Sequence, residues 1–203
     1  MPLPAAVPLP APTALLFGLT GCLVDFGARA RPHLDPGEHN HATPGALDVL
    51  QGLQQRGVPC VWLDELPHTI SQPLAATLPS WVKASLTPAN CAQWPAPNAC
   101  WHALMTLGVG QLDGCVLVSG EPRLLQSGLN AGLWTIGLAS CGPLCGLSPV
   151  EWQALPQKER ERKRGKATVE LFGLGVHSVI DHLGELSTCL DDIALRRLKG
   201  EKP

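Results

Sequence analysis

The first strong pattern in the chain is Ala14-Leu15-Leu16-Phe17, four apolar residues closed by Gly18. A short, uninterrupted apolar run that stops at a turn residue predicts a strand buried on both faces. After Gly45, residues Ala46, Leu47, Val49, Leu50 and Leu53 share one helical face until Gly57 ends the pattern. Residues 58–63 then read as a second buried strand. The alternation recurs down the chain. Trp101, Leu104 and Leu107 mark a helix before Gly108, residues 115–118 a strand, 124–129 a helix before Gly132, and 134–138 a strand. Residues 149–171 open with a helix-start signal, 177–180 read as a last short strand and 183–198 as a closing helix. Strands separated by helices imply right-handed crossovers. The expected fold is therefore α/β: a three-layer Rossmann-like core with a mostly parallel sheet.

At 203 residues the chain suits one domain, with a Pro-rich arm at 1–12 and a single core domain at 13–203. Seventeen acidic against fifteen basic residues leave no global field for nucleic acid or an anionic membrane, and no apolar run approaches the ~20 residues of a membrane span. Neither partner is expected. Lys158, Arg160, Arg162, Lys163, Arg164 and Lys166 alternate with glutamates, the pattern of a solvated helix face. The eight cysteines lie mostly in apolar stretches and no secretory signal is visible, which suits reduced thiols and a cytoplasmic, soluble protein. Cys141 and Cys145 lack a second ligand pair at finger-like distance, so no zinc site is expected there.

Several stretches together carry a family signature. The segment from Phe17 through Gly18, Leu19, Thr20, Gly21, Cys22, Leu23, Val24, Asp25 and Phe26 to Gly27 resembles the first motif of the haloacid dehalogenase superfamily. Its Val-Asp-Phe-Gly ending is similar to phosphonoacetaldehyde hydrolases. Trp94-Pro95-Ala96-Pro97 resembles the third-motif loop, and Gly128-Leu129-Asn130-Ala131-Gly132-Leu133-Trp134 the segment after motif four. Gly175-Val176-His177-Ser178 resembles that family's C-terminal stretch. The likeness runs from about Leu15 to Lys202.

The resemblance implies specific chemistry that these residues do not supply. The superfamily's nucleophilic aspartate corresponds to Gly18, which has no side chain to form an acyl-phosphate. The acid/base position two residues on is Thr20. The second motif's hydroxyl falls near Trp62 to Asp64, the third motif's cation corresponds to Trp94, and the magnesium-holding acids correspond to Ser119 and Gly120. Magnesium is held through carboxylates, so the resemblance implies that this cofactor is lost. The phosphonatase cap, which carries a Schiff-base lysine, corresponds only to residues 28–42, a stretch without lysine.

Ligands of open α/β sheets sit beyond the carboxyl ends of the strands. The residues expected to line a cleft there are Thr20, Cys22, Asp25, Asp64, Glu65, His68, Trp94, Ser119, Glu121 and Arg123. Asp64, Glu65 and His68 offer acid/base chemistry, and Cys22 offers a nucleophile if its thiol is activated; helix capping and simple packing are the plainer roles. His33, Glu38, His39 and His41 form a ligand-bearing linker, read as a polar loop and not as a metal site. The function expected on this reading is a catalytically inactive binding or regulatory module without HAD-type phosphatase or phosphonatase activity. It would self-associate or bind a protein partner through an uncapped cleft, with a small ligand of unknown identity as a further partner. The alternative is a hydrolase of altered chemistry using Asp64, His68 or Cys22.

Overall fold

The computed structural model describes residues 8–30, 39–86, 88 and 90–203. In chain order the elements are β1 (Ala14–Gly18), α1 (Ala46–Gln55), β2 (Cys60–Leu63), α2 (His68–Ala75), β3 (Lys83–Ser85), α3 (Asn98–Leu107) and β4 (Cys115–Ser119). They continue with α4 (Pro122–Asn130), β5 (Trp134–Leu138), α5 (Pro149–Ala154), α6 (Gln157–Gly173), β6 (Ser178–Ile180) and α7 (Leu186–Leu198). The six strands form one sheet in the order β3-β2-β1-β4-β5-β6, and every pairing is parallel. The α/β reading of the sequence holds.

Parallel crossovers put helices on both faces, and this is why β1, β2, β4 and β5 are buried from end to end and mostly apolar. Leu15 and Phe17 pack on one face with Leu50 and Leu53 of α1 and Leu186, Leu190 and Ile193 of α7. Leu16 and Leu117 pack on the other with Ala99, Cys100, Ala103 and Leu104 of α3 and Leu124 of α4. The register aligns Gly18 with Leu63, and Phe17 with Val118, so the tips of β1, β2 and β4 end at one level.

Four elements depart from the pattern-based expectation. Strand β3 has three residues and α2 eight, both too short to establish a period. The helix expected over 149–171 is broken at Leu155, whose backbone is extended because Pro156 follows it. The closing helix is preceded by a 3-10 turn, Leu183–Glu185. Most of the Pro-rich arm, residues 1–7, lies outside the described residues; the Pro10 and Ala11 carbonyls accept hydrogen bonds from Arg197 of α7. Among the described residues no helix is long and apolar enough to cross a membrane.

Candidate active site

The tips of β1 and β4 are closed. A Cβ placed on Gly18 would meet Ser119 Oγ at 2.6 Å, so the hydroxymethyl group of Ser119 fills the space beside the β1 tip. That Oγ accepts the backbone N–H of Glu121 at 3.0 Å. A Cβ on Gly120 would meet the carbonyls of Gly21 and Cys141 at 2.5 and 2.7 Å. The loops after β1, β4 and β5 thus pack backbone against backbone over the point where the strand order reverses. Thr20, Cys22 and Ser119 are fully buried under them. This corrects the expectation that these three line an open cleft. It also removes Cys22 as a nucleophile: its thiol donates to the Val118 carbonyl, and burial pushes its pKa well up, away from the reactive thiolate.

The cleft lies one strand further over, beyond the ends of β2 and β3, with a volume of about 240 Å³. Asp64, Glu65, His68 and Trp94 share its wall with Trp62, Ser71, Ser85, Cys91 and Gln93. Asp64 follows β2 directly and is 7% exposed. Its Oδ2 accepts Thr20 N–H at 3.1 Å and Thr20 Oγ1–H at 2.7 Å, and its Oδ1 accepts Leu66 N–H at 3.0 Å. Thr20 is therefore a support beneath the cleft. Glu65 Oε1 accepts Trp94 N–H at 2.6 Å, while its Oε2 pairs with Arg123 at 3.0 Å. Arg123 also donates to the Trp94 carbonyl, which ties the β2 tip, the Trp94 loop and α4 together. Glu121 serves as N-cap of α4, accepting Arg123 N–H at 3.2 Å. Ser71, Ser85, Cys91 and Gln93 escaped sequence reasoning because they stand on the two short elements and the loop that follows them. Their one signal was polarity close to the strand ends.

Asp25 sits elsewhere. Its φ of 49° turns the chain, and its two carboxylate oxygens accept Arg29 N–H at 2.9 Å and Ala30 N–H at 2.8 Å. His39 lies 3.7 Å away, and Asp25, Arg29, His39 and His41 border a separate cavity of about 490 Å³. His33 and Glu38 lie outside the described residues. Among the described residues no three His, Cys, Asp or Glu side chains gather as a ligand set. The magnesium implied by the resemblance needs near-octahedral oxygen ligation with carboxylates. Near the β1 and β4 tips the side-chain oxygens on offer are Thr20, Ser119 and two carboxylates, Asp64, turned toward the Thr20 and Leu66 donors, and Glu121, which caps α4. These residues do not fit the ion.

No family model matches the chain. Phosphonoacetaldehyde hydrolase from Bordetella pertussis is 30% identical over 173 residues, covering 82% of this chain and 62% of that protein. The enzyme of the same name from Pseudomonas putida is 31% identical over 173 residues, covering 81% of this chain and 62% of that protein. The chain thus spans less than two thirds of the length of these relatives. One solved structure is 65% identical, with a TM-score of 0.91 over 94% of this chain and 99% of its own. A phosphonoacetaldehyde hydrolase-like protein from Oleispira antarctica shares the fold from end to end, with a TM-score of 0.87 at 21% identity. These findings overturn the expectation of a catalytically inactive module, because the relatives matched by sequence are named as hydrolases. The alternative, a hydrolase of altered chemistry, is the better supported of the two readings; the groups absent at the tips of β1 and β4 leave a carboxylate held at the adjacent tip of β2.

Proposed function

We propose that the chain, which matches phosphonoacetaldehyde hydrolases at 30–31% identity over less than two thirds of their length, is a hydrolase of the haloacid dehalogenase type working from the cleft beyond β2 and β3. The observation that carries this reading is the Asp64 carboxylate, fixed by three donors at the strand tip next to Gly18 and bordering a cleft of about 240 Å³. In this reading the acid has moved one strand sideways from the place where the superfamily keeps it. Asp64 orients the attacking water and takes its proton, which then returns to the leaving group, while His68 on the same wall donates a hydrogen bond to the developing oxyanion. Glu65, Arg123 and the Trp94 loop position the wall and do not enter the chemistry. The relatives' name supplies the first substrate to test, phosphonoacetaldehyde, followed by phosphate monoesters, carboxylic esters and thioesters.

The test is a turnover screen of the purified full chain against that panel, with magnesium and with a chelator. Turnover is expected to survive chelation, because the donor set does not suit magnesium. Asp64→Asn is expected to lower kcat by on the order of 10² or more, the scale of a lost general base, while still unfolding in one cooperative transition at a lower temperature, since an amide cannot accept all three donors. A folded Asp64→Asn variant that turns over at the wild-type rate would sink the reading.

A further inference from the structure

We propose that Ser85 is the nucleophile of this cleft and His102 its base, which makes the substrate a small carboxylic ester or thioester. The proposal rests on the hydrolase reading above and names its chemistry. Ser85 is the last residue of β3 and pairs in register with Leu63, so it reaches the same carboxyl edge of the sheet as Asp64. That edge is where open α/β sheets place reacting groups. Ser85 is 2% exposed, yet its side of the strand borders the cavity. Its Oγ lies 3.2 Å from His102 Nδ1. His102 stands on α3 one turn after Ala99, which lines the same cavity, so the imidazole and the cavity wall share a helix face.

A serine hydroxyl is a weak nucleophile until a base within about 2.6–3.2 Å takes its proton. The Ser85 and His102 pair meets that distance, and Nδ1 accepts when the ring proton is on Nε2. In the first step the Oγ proton passes to His102 while Oγ bonds to the acyl carbon. The bond from that carbon to the leaving alcohol or thiol breaks, and His102 gives the leaving group its proton. In the second step water attacks the acyl carbon, Asp64 takes the water's proton, and Ser85 leaves as its hydroxyl once that proton is returned. The acid is released and both side chains are regenerated. Gln93 and His68, on the same wall, carry side-chain donors for the oxyanion.

An alkyl fluorophosphonate probes this without knowledge of the substrate, since an activated serine bonds to its phosphorus and expels fluoride. The wild-type full chain is expected to gain one adduct, mapped by mass spectrometry to Ser85. Ser85→Ala should abolish labelling and His102→Gln should slow it by on the order of tenfold to a hundredfold. Asp64→Asn should still be labelled but, given a thioester, should accumulate acyl-Ser85. No adduct on the wild type, or an adduct at another residue, overturns the proposal even if Ser85→Ala fails to fold. A folded Ser85→Ala that hydrolyses esters normally, beside an inactive Asp64→Asn, overturns the serine assignment and leaves the Asp64 reading standing. An active Asp64→Asn beside an inactive, unlabelled Ser85→Ala does the reverse.

Discussion

Gly18 and Ser119 share one small volume, and which of them carries a side chain decides what the β1 tip can do. Gly18→Ala is expected to destabilise the fold by roughly 1–3 kcal/mol, the usual cost of forcing an atom into a packed interior. Adding Ser119→Gly should recover much of that loss, and urea titration of the two single variants and the double would show non-additivity if the residues compete for space as the 2.6 Å approach requires. Cysteines behave by the same local logic. Burial pushes the Cys60 thiol up to about 12 and those of Cys100 and Cys115 to about 11, and Cys91 is the one cysteine of eight that is not buried. Iodoacetamide at pH 8 should therefore modify a single thiol quickly in the native protein, and Cys91→Ser should remove that fast phase. Because Cys91 lines the cleft, a bound ligand is expected to slow its modification.

At the level of elements, α6 shows how little contact holds a long polar helix. Of its seventeen residues only Ala167 and Leu171 are buried, and Leu171 packs against Gly137 of β5, where a Cβ would sit 3.1 Å from it. Leu171→Ala should cost about 2–5 kcal/mol, as for other fully buried leucines, and a urea transition gives the number directly. A change below 0.5 kcal/mol would mean that α6 docks by other means. The charged residues along this helix pair locally, as Arg162 with Glu159 at 2.9 Å, or reach one neighbouring loop, as Arg164 with Asp181 at 2.7 Å. Exposed pairs of this kind add little to stability. The same stretch shows what sequence can and cannot tell. Its helical character is legible in the helix-start signal and in basic residues alternating with glutamates, while the break at Leu155 follows from Pro156, a residue whose effect falls on its predecessor.

Across the whole molecule, His177 links the β5–β6 edge to α7. Its Nδ1 meets Thr135 N–H at 3.0 Å, its ring meets Trp134 edge-on, and Arg196 of α7 lies 4.7 Å from the centre of the Trp134 ring. Desolvation, then the charge of Arg196, lowers the His177 pKa below its ordinary 6.5. The unfolded chain binds this proton more readily than the folded one. The contribution is therefore intact above about pH 6.5 and is lost as pH falls from there toward the lower folded pKa. Melting temperature should drop across that window, and His177→Gln should flatten the drop. The cleft also belongs to this scale. Ser85 stands 21 residues along the chain from Asp64, and the parallel pairing of β3 with β2 brings the two to one wall.

The chain by itself determined the alternation of buried strands and helices, and with it the parallel sheet, because burial on both faces leaves an apolar run that needs no partner to be recognised. It also marked Asp64, Glu65, His68 and Trp94 as groups near strand ends. Tertiary structure alone decided that Thr20, Cys22 and Ser119 are sealed and that the cleft opens one strand away. That outcome depends on close approaches between three loops distant in sequence, at Gly18, Gly120 and Gly142, and side-chain volume in such contacts is set by neighbours that no local pattern names.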